Sequence, residues 1–223
     1  MRTLEAEFAL SGHAGGGRLR GRVLIGLAEP DSARLVGLAP FGQPRFILVA
    51  RPNDTTLFLP RDRRVLTGEP TSAIVEALAG VALGPDDLRS VLTGCVVPNP
   101  EAMAGRAYGD GWVAVDLRGG ATAYLKVVDR QRRVVVGVRG ALSLEYSDFV
   151  NRIPRRVRLL SSSVGETSAP PDTDLTVTLS QVRMNVPIDP AAFSLEIPPD
   201  ALPLSLDELR RMGPLGPLGE DSR

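Results

Sequence analysis

The sequence predicts an α+β protein built mainly from antiparallel sheet, and three observations carry that expectation. Apolar residues recur with a period of two over several short segments, which puts them on one face of a strand. Turn residues are abundant: 23 glycines and 19 prolines among 223 residues, about one residue in five against roughly 12% usual. Helical stripes are confined to two adjacent segments in the middle and one near the end. The length suits one large domain or two small ones. There is no internal repeat and no long linker.

The first sixty residues read as strands. In Arg18–Leu27, Leu19, Val23, Ile25 and Leu27 alternate with Arg20 and Arg22. Arg34–Leu38 is a shorter apolar segment. Arg45–Arg51 contains the run Phe46-Ile47-Leu48-Val49-Ala50, and Thr55–Leu59 contains Leu57-Phe58-Leu59. Runs without alternation predict strands covered on both faces. Gly15-Gly16-Gly17, Glu29-Pro30-Asp31, Pro40–Pro44 and Pro52-Asn53-Asp54 supply the turns, and turns this short favour antiparallel pairing.

Two helices follow. Thr71 or Ser72 can cap the first, with Ile74, Val75 and Leu78 on one stripe and Gly80 as its stop. The second opens Gly84-Pro85-Asp86-Asp87, a proline at the first helical position and two acids facing the positive end of the helix dipole. Leu88, Val91 and Leu92 form its stripe, and Gly94 ends it.

Strands then resume as a meander through Trp112–Asp116, Thr122–Asp129 and Val134–Arg139, followed by Arg155–Ser161. In Leu175–Val186 the alternation changes phase, from Leu175, Val177 and Leu179 to Val182, Met184 and Val186. A bulge near Ser180-Gln181 would keep both sets on one face. Gly165–Thr173 reads as a flexible hairpin loop. Ser205 and Glu208 form a capping box for a last helix, Leu204 with Leu209 fits a hydrophobic staple, and Gly213-Pro214 stops it. Residues 213–223 read as a frayed tail.

Composition excludes much chemistry. With 26 basic and 26 acidic side chains the formal net charge is zero, so there is no electrostatic case for a dedicated nucleic-acid or anionic-membrane binder. One Cys and one His rule out a disulfide framework within the chain, a multi-Cys metal site and a two-His metal site. No cofactor motif is present. The start, Met1–Glu7, carries acids where a signal peptide needs an apolar stretch. Either the protein is cytoplasmic, which the residues alone favour, or a signal was trimmed. Leu92-Thr93-Gly94-Cys95 has the form of a lipoprotein cleavage box, but it lies mid-chain behind Asp86, Asp87 and Arg89 and reads as a chance match.

No catalytic set stands out. His13 lies in the glycine-rich Ser11–Gly17, which joins two strands rather than a strand to a helix, so it reads as a hairpin loop rather than a phosphate loop. A Cys95–His13 nucleophilic pair has only the existence of the two residues behind it. Pro40-Phe41-Gly42 is different, because hairpin tips are normally polar and this one centres on an aromatic ring. Phe41 either folds back onto the sheet or is held outward to enter a lipid surface.

Taken in order, these features resemble a family. The Pro40-Phe41-Gly42 turn between apolar strands, then Leu57-Phe58-Leu59-Pro60, Ile74–Gly80 and Asp87–Gly94, resemble the bacterial outer-membrane lipoprotein receptor (LolB-type). Asn185-Val186-Pro187-Ile188-Asp189, Phe193 and Ile197-Pro198 are similar to the related periplasmic carrier (LolA-type). The likeness spans residues 4–212 and implies a single lipid-binding domain over 1–212. It implies an unclosed antiparallel β-barrel with helices covering its concave face, around a cavity for acyl chains.

Under that resemblance the protein is non-enzymatic and binds and transfers lipoprotein acyl chains or another lipid. It would work as a monomer in the periplasm or on the periplasmic face of the outer membrane, its export signal and any lipid anchor trimmed. Its partners would be that lipid, the outer-membrane surface or a periplasmic carrier, with no nucleic acid. The membrane-contacting loop would be Pro40, Phe41 and Gly42. Candidate cavity residues, chosen from the strand runs and helical stripes, are Val23, Ile25, Ile47, Val49, Leu57, Trp112, Ile74, Leu78 and Leu88. The alternative is a scaffolding module of the envelope that binds a protein through its open sheet edge.

Overall fold

Residues 2–162 and 171–212 are described by the structure, a computed structural model. Among the described residues fourteen strands and three α-helices follow one another: β1 (Thr3–Ala14), β2 (Gly17–Ala28), β3 (Ser32–Leu38), β4 (Pro44–Arg51), β5 (Asp54–Leu59), β6 (Arg64–Thr67), α1 (Thr71–Ala79), α2 (Pro85–Leu92), β7 (Ala102–Ala107), β8 (Val113–Leu117), β9 (Ala121–Val128), β10 (Gln131–Arg139), β11 (Leu142–Val150), β12 (Ile153–Ser161), β13 (Thr173–Met184), β14 (Leu202–Pro203) and α3 (Leu206–Met212). All the strands join one sheet in the order β14-β6-β5-β4-β3-β2-β1-β13-β12-β11-β10-β9-β8-β7. Every pairing is antiparallel except that of β14 with β6. The edges β14 and β7 do not pair, so the barrel is unclosed.

The sequence explains this topology as two meanders joined at one long-range seam. Tight turns fold each meander, and β1 of the first then pairs along its length with β13 of the second. The register along that seam slips by one residue between Glu5 and Glu7, opposite Ser180–Arg183, with Gln181 at φ 50°. This is the bulge expected at Ser180-Gln181, and it lets Val182 pack against the same core as Leu179.

One face of the sheet carries the core. Leu4, Phe8, Leu10, Leu19, Val23, Ile25, Leu35, Phe46, Leu48, Leu57, Leu159, Leu175 and Val177 meet the apolar stripes of α1 and α2 there. The other face is crossed by the segment between β13 and β14. Thr3 Oγ1 donates to the Val186 carbonyl, Arg34 Nη1 donates to the carbonyls of Ala192 and Ser194, and the Pro190–Phe193 turn packs on β3 and β4. This strap accounts for Val49, Phe58 and Phe193, which are buried outside the main core. The strands whose apolar runs do not alternate, β4 and β5, are thus covered on both faces.

Several local expectations change. Neither Thr71 nor Ser72 caps α1: Pro70 occupies the cap position, and Thr71 Oγ1 bonds Thr55 Oγ1 at 2.9 Å instead. The predicted loop at Gly165–Thr173 is outside the described residues up to Pro170, and Thr173 already opens β13. The tail from Gly213 is also outside them. No described helix is long and apolar enough to cross a membrane, which says nothing of a β-barrel.

Candidate functional site

Between the cored face and the two middle helices lies a cavity of about 80 Å³. Phe8, Leu10, Val23, Leu35, Phe46 and Leu48 form its floor on one side, and Leu159, Leu175 and Val177 do so on the other. Val75, Leu78 and Ala79 of α1, Val81, Leu83, and Leu88, Val91 and Leu92 of α2 form its roof. Every lining residue is apolar.

The roof is fixed at its ends by polar contacts. Thr55 and Thr71 share a hydrogen bond where α1 begins, and Thr173 Oγ1 donates to the Gly80 carbonyl at 3.2 Å where it stops. Gly80 has φ 72° and lies so close to β1 and β13 that a Cβ would come 2.5 Å from Thr173 Oγ1. At the start of α2, the Gly84 N–H donates to Asp87 Oδ2 and Arg139 pairs with Asp87 Oδ1. Just past its end, Tyr146 donates its hydroxyl to the Cys95 carbonyl at 3.0 Å.

At one rim stands the Pro40–Gly42 turn. Two backbone bonds close it, Ala39 N–H to the Gln43 carbonyl and Gly42 N–H to the Ala39 carbonyl. Phe41 sits at φ 72°, ψ 9°, a left-handed conformation that a bulky side chain rarely adopts. Its ring is 104% exposed, so it does not fold back onto the sheet. An open groove of about 660 Å³ runs beside the turn, from Ala39 and Pro44 past Leu59 to Leu78, Leu209 and Met212. Leu78 lines both the groove and the cavity.

Of the residues expected to line a cavity, Val23, Leu78 and Leu88 do so. Ile25, Leu57 and Ile74 belong to the surrounding core. Ile47 and Val49 lie on the strap side, because Phe46, Leu48 and Ala50 take the cavity phase of β4. Trp112 stands apart, its ring 5.0 Å from the Lys126 ammonium. Leu10, Leu35, Leu159, Leu175 and Val177 line the cavity and were missed; the alternation of β12 and β13 was the signal that could have found Leu159, Leu175 and Val177.

His13 is part of β1, not of a loop, with Nε2 3.2 Å from the Pro171 carbonyl. Cys95 is half-buried, and burial pushes its thiol pKa up, away from the thiolate that nucleophilic chemistry uses. Among the described residues no three His, Cys, Asp or Glu cluster to hold a metal.

An unclosed antiparallel barrel roofed by helices recurs in known structures. The chain is similar to a LolA-superfamily protein from Nitrosomonas europaea, with TM-score 0.58 and 12% identity over 87% of this chain and 90% of that one. It is similar to a DUF1329-family protein from Desulfovibrio piger, with TM-score 0.55 and 12% identity over 86% and 90%. The chain shares the fold of these two proteins. No family model matches the sequence, and no curated protein matches it. In this LolA-like fold the helices cover the concave face, as the resemblance implied.

Proposed function

We propose that this LolA-like chain binds and transfers an acyl-bearing lipid, such as the acyl chains of a lipoprotein, within the bacterial envelope. The observation that carries the reading is a cavity whose lining residues are all apolar, under a roof whose polar ties, apart from the Arg89–Glu29 pair on α2, stand at the helix ends. Burying an acyl chain there would be worth about 0.8 kcal/mol per CH₂. At about 80 Å³ the cavity is smaller than the ~150 Å³ that accommodates benzene. Binding therefore requires α1 and α2 to lift from the sheet, with the groove below Phe41 as the path inward. The Phe41 ring would dip into a membrane during exchange, a contact worth about 1.5–3 kcal/mol, enough for transient docking.

A fluorescent fatty acid whose emission rises in apolar surroundings tests this. Uptake by the wild type, with a clear loss in Val23→Trp and Leu78→Trp, is expected; no uptake contradicts it. The scaffolding alternative has one observation in its favour. Edge strand β7 exposes all six of its residues, Met103 among them at 60%, and is open to an added strand.

A further inference from the structure

The sheet is split on its far side. β10 and β11 pair from Arg139–Leu142 to Val136–Glu145 and then stop. The rest of β10 stays with β9, and the rest of β11 stays with β12. The two strands part there and leave an open cleft of about 520 Å³ lined by Gln131, Arg132, Arg133, Val134, Phe149 and Arg152, with Gly94 beyond the end of α2.

Three arginines line this cleft and no carboxylate does. Among the described residues, none of the three forms an ion pair. A ladder continued in register would have set Asp148 against Arg133, but Asp148 has φ 55° and pairs with Arg156 at 3.3 Å. The Arg133 guanidinium lies 5.0 Å from the centroid of the Phe149 ring. Its Nε is buried without a hydrogen-bond partner among the described residues, and a buried donor left unpaired is destabilising. In a chain with as many acids as bases, three cations gathered without an anion mark an incomplete site.

We infer that the β10–β11 cleft binds a phosphate group. One carboxylate is satisfied by a single bidentate arginine, whereas a phosphate offers oxygens enough for several guanidinium forks. The Phe149 face holds the Arg133 guanidinium ready for it. The phosphate can be free or part of a lipid headgroup, and this site is separate from the acyl cavity.

Isothermal titration calorimetry of the full chain tests the site, with inorganic phosphate and with dihexanoyl phosphatidylglycerol as probes at fixed ionic strength. At least one probe is expected to saturate at 1:1 and to weaken at least tenfold in Arg133→Gln and in the exposed double variant Arg132→Ser, Arg152→Ser. Arg22→Ser, in a pair elsewhere on the sheet, should leave the affinity unchanged. Similar affinity for both probes identifies the bare phosphate as the ligand; the lipid binding more than tenfold tighter identifies a headgroup. If Arg133→Gln fails to melt cooperatively, the double variant decides. Saturable binding of neither probe, or equal affinity in wild type and arginine variants, overturns the inference.

Discussion

The ring of Phe46 lies across Gly37, its cross-strand partner on β3, so closely that a Cβ at Gly37 would sit 2.0 Å from Phe46 Cε1. Phe46 is 3% exposed and lines the cavity, so this missing side chain helps set where the floor lies. Gly37→Ala must push the ring into the cavity or displace β3. The expected cost is about 1–3 kcal/mol, as for other overpacked sites, read from the midpoint of chemical denaturation. A second expected effect is weaker uptake of a fluorescent fatty acid.

Phe41 should behave in the opposite way. Its ring contacts solvent only, so Phe41→Glu is expected to change stability by no more than about 0.5 kcal/mol. It should sharply reduce co-sedimentation with anionic or neutral vesicles and slow lipid transfer to them. An unchanged transfer rate would remove the membrane role from this turn.

The fastening of the roof is also testable. Arg139 reaches from β10 to Asp87 at the head of α2. The pair is partly exposed, with side chains 20% and 28% accessible, so Arg139→Ala should cost only about 1 kcal/mol. Stopped-flow measurement with the same fatty acid should show uptake several-fold faster, because lifting α2 then breaks one contact fewer. Slower uptake would mean that this pair holds the binding-competent form rather than the closed one.

Acid should release α3. Glu208 accepts hydrogen bonds from the Ser205 backbone and hydroxyl and from Arg64, and the Ser205 backbone bond contributes most to bringing its pKa down to about 2. A carboxylate depressed on folding contributes stability that is complete above its unfolded value, here near 4.5, and is lost as pH falls toward 2. The protection of the Leu209 amide, which bonds the Ser205 carbonyl, taken relative to the intrinsic exchange rate at each pH, should fall across that window. In Glu208→Gln the protection should already be low at neutral pH, with little further change on acidification.

Local features of this fold were legible because they follow from neighbouring residues. The strands β2 to β5, the extents of α1 and α2, the Ser205–Glu208 capping box and the bulge at Ser180-Gln181 all rest on short-range spacing or on backbone chemistry. What was missed depends on distant contacts. The pairing of β1 with β2 is local, but its second partner, β13, lies more than 150 residues away, so the seam between the two meanders was not legible. The placement of Val49 was missed because its burial comes from a strap that arrives around Phe193. Thr71 was assigned a cap because Ser and Thr often cap, but the neighbouring strand supplied Thr55 as a competing partner.

The acyl cavity is the central claim, and native mass spectrometry of the protein purified from a bacterial envelope fraction tests it most directly. The account predicts a population carrying one acyl lipid per chain, reduced in Val23→Trp and Leu78→Trp. Bare protein throughout, before and after incubation with envelope lipids, would contradict it.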